Sequence, residues 1–234
     1  MGQHILPGNP PVALILRRSP RARQISLRVS RLDGRVTLTV PQGVPEATAL
    51  GFARNKERWL RKQLSTQSQM VQVAIGHDVP FAGEMRRIVP GQNRRILLTD
   101  DQIAVPGPDD RVAARLHAWF KAQARDRLAA ASDRYAAALG RPYTRLTLRD
   151  TRSRWGSCSS QGGLMYSWRL IMAAPDVLDY VAAHEVAHLA QMNHSPAFWA
   201  VVAQLYPDYE RPRQWLRAHG VDLHRYRFDA QGGF

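Results

Sequence analysis

The chain has 234 residues, 44% of them hydrophobic, enough to bury the core of one large domain or two small ones. No apolar run approaches the roughly 18 residues of a membrane span, and the opening MGQHILPGNP has neither the charged start and apolar core of a secretory signal nor a myristoylation pattern, since position 6 is Leu6. A single cysteine, Cys158, excludes an intrachain disulfide and a CxxC zinc ribbon, so a cytoplasmic protein is expected. The formal net charge of +14 favours anionic partners, a weak association with nucleic acid among them. Only Lys56, Lys62 and Lys121 are lysines, and the arginines run from Arg17 to Arg227, so the charge is diffuse and suits solvation as readily as binding.

The first third reads as β-rich. Val12 to Leu16, Gln24 to Ser30 and Arg35 to Val40 are short apolar or alternating runs, and Asp33-Gly34 is a hairpin signal between the last two. Glu46 to Leu64 predicts one helix, with Leu50, Ala53, Leu60 and Leu64 along an apolar stripe. Further strands are expected at Val71 to Ile75, Met85 to Val89, Arg95 to Thr99 and Gln102 to Val105. Pro106-Gly107-Pro108 then marks a boundary, dividing a β-rich region 1–106 from a helical domain 107–234. Asp109 to Leu139 predicts one long helix closed by Gly140 and Pro142, and Arg145 to Arg149 and Leu164 to Leu170 predict two strands joined by a Ser/Gly-rich loop. Either strand is an edge for an extended substrate or part of an ordinary interior hairpin.

The run HEVAHLAQMNH carries the chemistry. His184 and His188 are four residues apart, about 400° on a helix, so they project from nearly one face and can chelate one ion. Glu185 lies about 100° round, beside the ion, where a carboxylate can take a proton from water. Val177, Leu178, Val181, Val186 and Leu189 make the helix largely buried, and two histidines and a glutamate inside it need a reason, which zinc supplies. Pro175 suits the first helical position, Asp176 and Asp179 suit the positive end of the dipole, and Asn193 suits a left-handed terminator. Ser195-Pro196 begins another helix to about Leu205, placing His194 in the connection as the third ligand. Three protein ligands leave a fourth position open, the pattern of a catalytic rather than a structural zinc. The metzincin continuation is absent: Gln191 stands at its glycine position, and no methionine follows Met192.

RSRWGSCSSQGGLMYSWRL, DVLDYVAAHEVAHLAQMNHSPAFW and PDYERPRQWLRAHG resemble the YgjP-like metallopeptidase family, distantly similar to the SprT and WLM zinc peptidases. The N-terminal RSPRARQISLRVSRLDGRVTLTVPQGV resembles that family's opening sheet, and Ser167 departs from its usual asparagine. The resemblance implies an α+β chain: a β-rich N-terminal part with one helix, then a zincin-like helical metallopeptidase domain with a small antiparallel sheet. It carries His184, His188 and His194 over as zinc ligands and Glu185 as the catalytic carboxylate. Zinc-assisted peptide hydrolysis is the expected activity. Hydrolysis of a nucleoside triphosphate, UTP, to release pyrophosphate is the alternative that the resemblance also implies, and a nucleic-acid module with structural zinc is a third.

Arg154 and Arg169 are candidates for stabilising an oxyanion or a phosphate, and Tyr180, four residues before His184, is an alternative oxyanion donor. Trp155 and Cys158 either shape a pocket or fill the core. His219 and His224 read as surface histidines of a C-terminal helix and tail.

Overall fold

The structure, a computed structural model, describes residues 2–30, 33–65 and 69–229. It is α+β, with six α-helices and four small sheets among the described residues. No described helix is long and apolar enough to cross a membrane. The chain divides into two compact units, Met1–Gln69 and Met70–Phe234, so the division falls after residue 69 and not after 106.

In the first unit β1 (Gly2–Leu6), β2 (Val12–Ser19), β3 (Ser26–Val29) and β4 (Val36–Pro41) form one sheet in the order β1-β2-β4-β3, with only the β2–β4 pair parallel. Alternation works as the sequence predicts: Val12, Leu14, Leu16, Val36, Leu38 and Val40 turn one face inward against Ala49, Ala53 and Leu60. The expected single helix is two, α1 (Glu46–Asn55) and α2 (Glu57–Ser65), broken at Lys56. β1 went unforeseen because its strand character comes from pairing with β2, not from its own pattern GQHIL.

The second unit opens with β5 (Val71–Gln72), β6 (Asp78–Phe81), β7 (Glu84–Gly91), β8 (Leu97–Leu98) and β9 (Gln102–Pro106). The last four make a sheet in the order β6-β7-β9-β8. Its inner residues Val79, Phe81, Ile88, Ile103 and Val105 share a core with α3 (Asp109–Leu139), which is why these strands belong with the helical part. α3 buries Val112, Leu116, Phe120, Ala124, Leu128, Ala131 and Tyr135, one face at helical spacing, and ends at Gly140 with φ 68°.

β10 (Arg145–Arg149), β11 (Gly156–Cys158) and β12 (Gly163–Ser167) follow, in the order β10-β12-β11. This sheet is mixed where an antiparallel one was expected: β10 runs parallel to β12, because β11 takes the hairpin position beside it. Trp168–Met172 leaves the sheet as a 3-10 helix instead of prolonging β12. α4 (Pro175–Ala187), α5 (Pro196–Leu205) and α6 (Glu210–His219) complete the helices, and β13 (Tyr226–Arg227) pairs with β5.

Candidate metal centre

α4 is held by ion pairs as well as by burial. Asp179 accepts from Arg134 of α3 at 2.8 Å, and Asp176 accepts from Arg211 of α6 at 2.7 Å, so both acids chosen for the helix dipole also tether the helix. The helix stops earlier than its motif suggests, with His188 as its C-terminal cap residue. Asn193 is not left-handed, since Ala82 is the only described non-glycine residue with positive φ. Its Oδ1 instead accepts the Ser195 N–H, bending the chain into α5, whose cap Ser195 accepts the Phe198 N–H.

This bend returns His194 to α4. Ring nitrogens of His184, His188 and His194 all lie within 4.8 Å of one another, and the Nε2 atoms of His184 and His194 are 3.1 Å apart. Zinc–nitrogen bonds of about 2.0–2.1 Å at tetrahedral angles put ligand nitrogens roughly 3.3 Å apart, so the cluster has the dimensions of one ion. His188 Nδ1 lies 3.0 Å from the Gln191 carbonyl; donating there leaves Nε2 unprotonated, the form a metal needs. His184 Nδ1 is buried without a hydrogen-bond partner among the described residues. Burial first, then the neighbouring His188, His194 and Arg213, lowers the His184 pKa to about 3, and burial lowers that of His188 as well, so both rings stay neutral. The residues present therefore fit a zinc ion.

Phe198 holds the three rings in place, stacked on His188 at 4.4 Å and edge-on to His184 and His194 at 4.9 and 4.8 Å. Sequence reasoning passed over it as an ordinary apolar residue. The available signal was its place three residues into the helix capped by Ser195, which aims it back at the motif.

Glu185 is 6% exposed and lies on the sheet side of α4. A Cβ on Gly156 would stand 2.4 Å from Glu185 Oε1 and 2.5 Å from its Cγ. Gly156 is therefore glycine because the carboxylate occupies that space, which gives the Arg152–Cys158 segment a physical role. Burial raises the Glu185 pKa to about 8, opposed by the charge of Arg154. A bound dication beside it would pull the value down.

Tyr180, Trp155, Trp199, Arg213 and Leu216 line an open cleft with His184 and His194. The Tyr180 hydroxyl has no hydrogen-bond partner among the described residues, and burial raises its pKa to about 12, so it remains a donor. Arg213, not foreseen from sequence, packs 4.3 Å over Trp199 and donates to Glu210. Trp155 is part of the cleft wall and not of the core interior, and burial, then the charge of Glu185, raises the Cys158 thiol to about 11, which disfavours the thiolate.

Arg169 is not at this site. Its guanidinium makes a bidentate pair with Asp150 at 2.7 and 3.0 Å and donates to the Leu223 and Tyr226 carbonyls at 3.0 Å each. The 3-10 turn replacing the expected strand aims it into a separate polar cavity shared with His117 and His224. His224 is accordingly half-buried, not a surface residue, and burial lowers its pKa to about 4.

A family model described as YgjP-like, metallopeptidase domain, matches residues 23–219. Among solved structures, the metallopeptidase zymogen abylysin of Pyrococcus abyssi is similar at 22% identity, covering 44% of this chain and 97% of that one, with a TM-score of 0.35. Curated proteins gave no significant match. The family match spans most of the chain and includes every residue of the histidine cluster together with Gly156 and Glu185, so this chain belongs to the YgjP-like metallopeptidase family.

Proposed function

We propose that the chain is a zinc metallopeptidase in which His184, His188 and His194 hold the ion and Glu185 is the general base. The observation that carries this reading is the convergence of three imidazoles within 4.8 Å, with a buried carboxylate at the adjoining position of the same helix. Zinc bound there supplies a Lewis acid that polarises a scissile carbonyl and makes water acidic enough to attack near neutral pH. Glu185, pressed against Gly156, accepts the proton of the attacking water and delivers it to the leaving amine. Tyr180 donates its hydroxyl to the oxygen on which charge develops, and Arg154 adds positive potential beside the base.

β11 supports a peptide as substrate. It is an edge strand of its sheet, next to the helix that bears Glu185, and a peptide in extended form can add to it. The UTP alternative loses one of its two expected phosphate-gripping arginines, because Arg169 is saturated by Asp150 and two carbonyls. The lone cysteine, a free thiol, accords with a reducing, cytoplasmic compartment. Assaying the zinc-loaded protein on a mixed peptide library and on nucleoside triphosphates in parallel tests the reading. Peptide cleavage is expected; pyrophosphate release from UTP with no peptide cleaved would replace it.

A further inference from the structure

We infer that the outer face of the β10-β12-β11 sheet is a substrate subsite selecting acidic side chains of a peptide aligned along β11. This rests on the peptidase reading above and extends it to substrate class.

The first ground is the hydrogen-bond phase of β11. Ser167 N–H donates to the Trp155 carbonyl at 2.8 Å, and Ser159 N–H donates to the Gly163 carbonyl at 2.9 Å. In an antiparallel pair, bonded and non-bonded residues alternate, so Trp155, Ser157 and Ser159 spend their backbone groups on β12. Gly156 and Cys158 turn theirs the other way, to an edge that no described strand covers. Two sets of backbone donors and acceptors are thus free beside Glu185, which lies against Gly156. A peptide pairing with them passes the metal centre in extended form.

The second ground is what its side chains would meet. Along a strand every second side chain falls on the same face. On β10 the exposed set is Arg145, Thr147 and Arg149, while Leu146 and Leu148 pack toward the core. With Arg154 and Ser157 they line one groove on the outer face, and no acidic residue lines it among the described residues. Arg145, Arg149 and Arg154 make no salt bridge or side-chain hydrogen bond among the described residues, in contrast to Arg134, Arg169 and Arg211, which are all paired. Two guanidinium groups with no acidic partner, and a third, Arg154, whose charge also reaches Glu185, fit carboxylates with the hydroxyls between them. Arg154, next to the edge, meets such a side chain first. Arg145 and Arg149, two strand spacings or about 10 Å from β11, add an attraction of longer range that salt screens. The groove contains no aromatic ring, and single-stranded nucleic acid relies on such rings for stacking, so the lining favours an acidic peptide.

The test uses zinc-loaded Glu185→Gln protein, which holds a peptide without turning it over. Fluorescence anisotropy compares a labelled peptide carrying Asp and Glu at alternate positions with the same peptide carrying Asn and Gln, and with an oligodeoxythymidylate. The acidic peptide should bind at least about tenfold tighter than the amide peptide at low salt, with the advantage shrinking as salt rises. Adding Arg145→Gln and Arg149→Gln together, or Arg154→Gln alone, should reduce that ratio; all three residues are exposed, and a thermal melt checks the fold of each variant. Equal affinity for the two peptides overturns the subsite. Tighter binding of the oligonucleotide, lost in the same variants, overturns it in favour of nucleic acid. Wild-type turnover separates the two levels: cleavage with no acidic preference sinks the subsite alone, whereas an acidic preference in binding with no cleavage of any peptide sinks the peptidase reading while supporting the groove.

Discussion

Replacing Glu185 with Gln should lower kcat for peptide cleavage by about 100-fold or more while leaving one zinc per chain. The amide keeps the length and shape of the side chain, so it still fits the space left by Gly156, but it accepts no proton from the attacking water. Zinc should stay because the proposed ligand set, the cluster of His184, His188 and His194, does not include Glu185. Elemental analysis and kcat measured on the same preparation decide the point. A loss below about tenfold would remove Glu185 from proton transfer, and loss of the zinc would make it a ligand.

Arg169→Met should destabilise the second unit by about 3 kcal/mol without changing zinc content. The residue is 9% exposed, and the substitution removes a bidentate pair with Asp150 and two hydrogen bonds to carbonyls of the C-terminal segment. Burial on its own would raise the Asp150 pKa, yet the hydrogen bonds and charge of Arg169 leave it lowered, so the carboxylate depends on this partner. Methionine fills much of the volume and supplies none of the donors. Lysine should rescue little, since one ammonium cannot reproduce the planar fork. Denaturant titration reads the change as a shift of midpoint. An unaltered midpoint, or a fall in turnover with unaltered stability, would return Arg169 to the catalytic candidates.

The histidine cluster was legible in the sequence because helical geometry is local: His184 and His188 share a face whatever surrounds them, and Ser195-Pro196 starts a helix by capping chemistry alone. α3 was legible for the same reason, its inward face repeating at helical spacing from Val112 to Tyr135. Arg169 misled because its role depends on Asp150, Leu223 and Tyr226, partners up to 57 residues away. β6 and β11 were missed because DVPF and GSC are strands only by virtue of β7 and β12 alongside. The unit boundary misled likewise: Pro106-Gly107-Pro108 is a true turn before α3, but the strands ahead of it pack onto that helix. Gly156 could be named as part of a motif, yet its reason, the Glu185 side chain lying where a Cβ would be, exists only in three dimensions.

Titrating zinc into chelator-stripped wild-type protein, with peptide cleavage as the readout and His194→Ala alongside, tests the central claim most directly. Cleavage should be absent without metal, rise linearly and level off at one zinc per chain, and His194→Ala should bind zinc far more weakly and recover no comparable turnover. Cleavage by the stripped protein, or a variant that matches wild type at one equivalent, would contradict a catalytic zinc held by these three histidines.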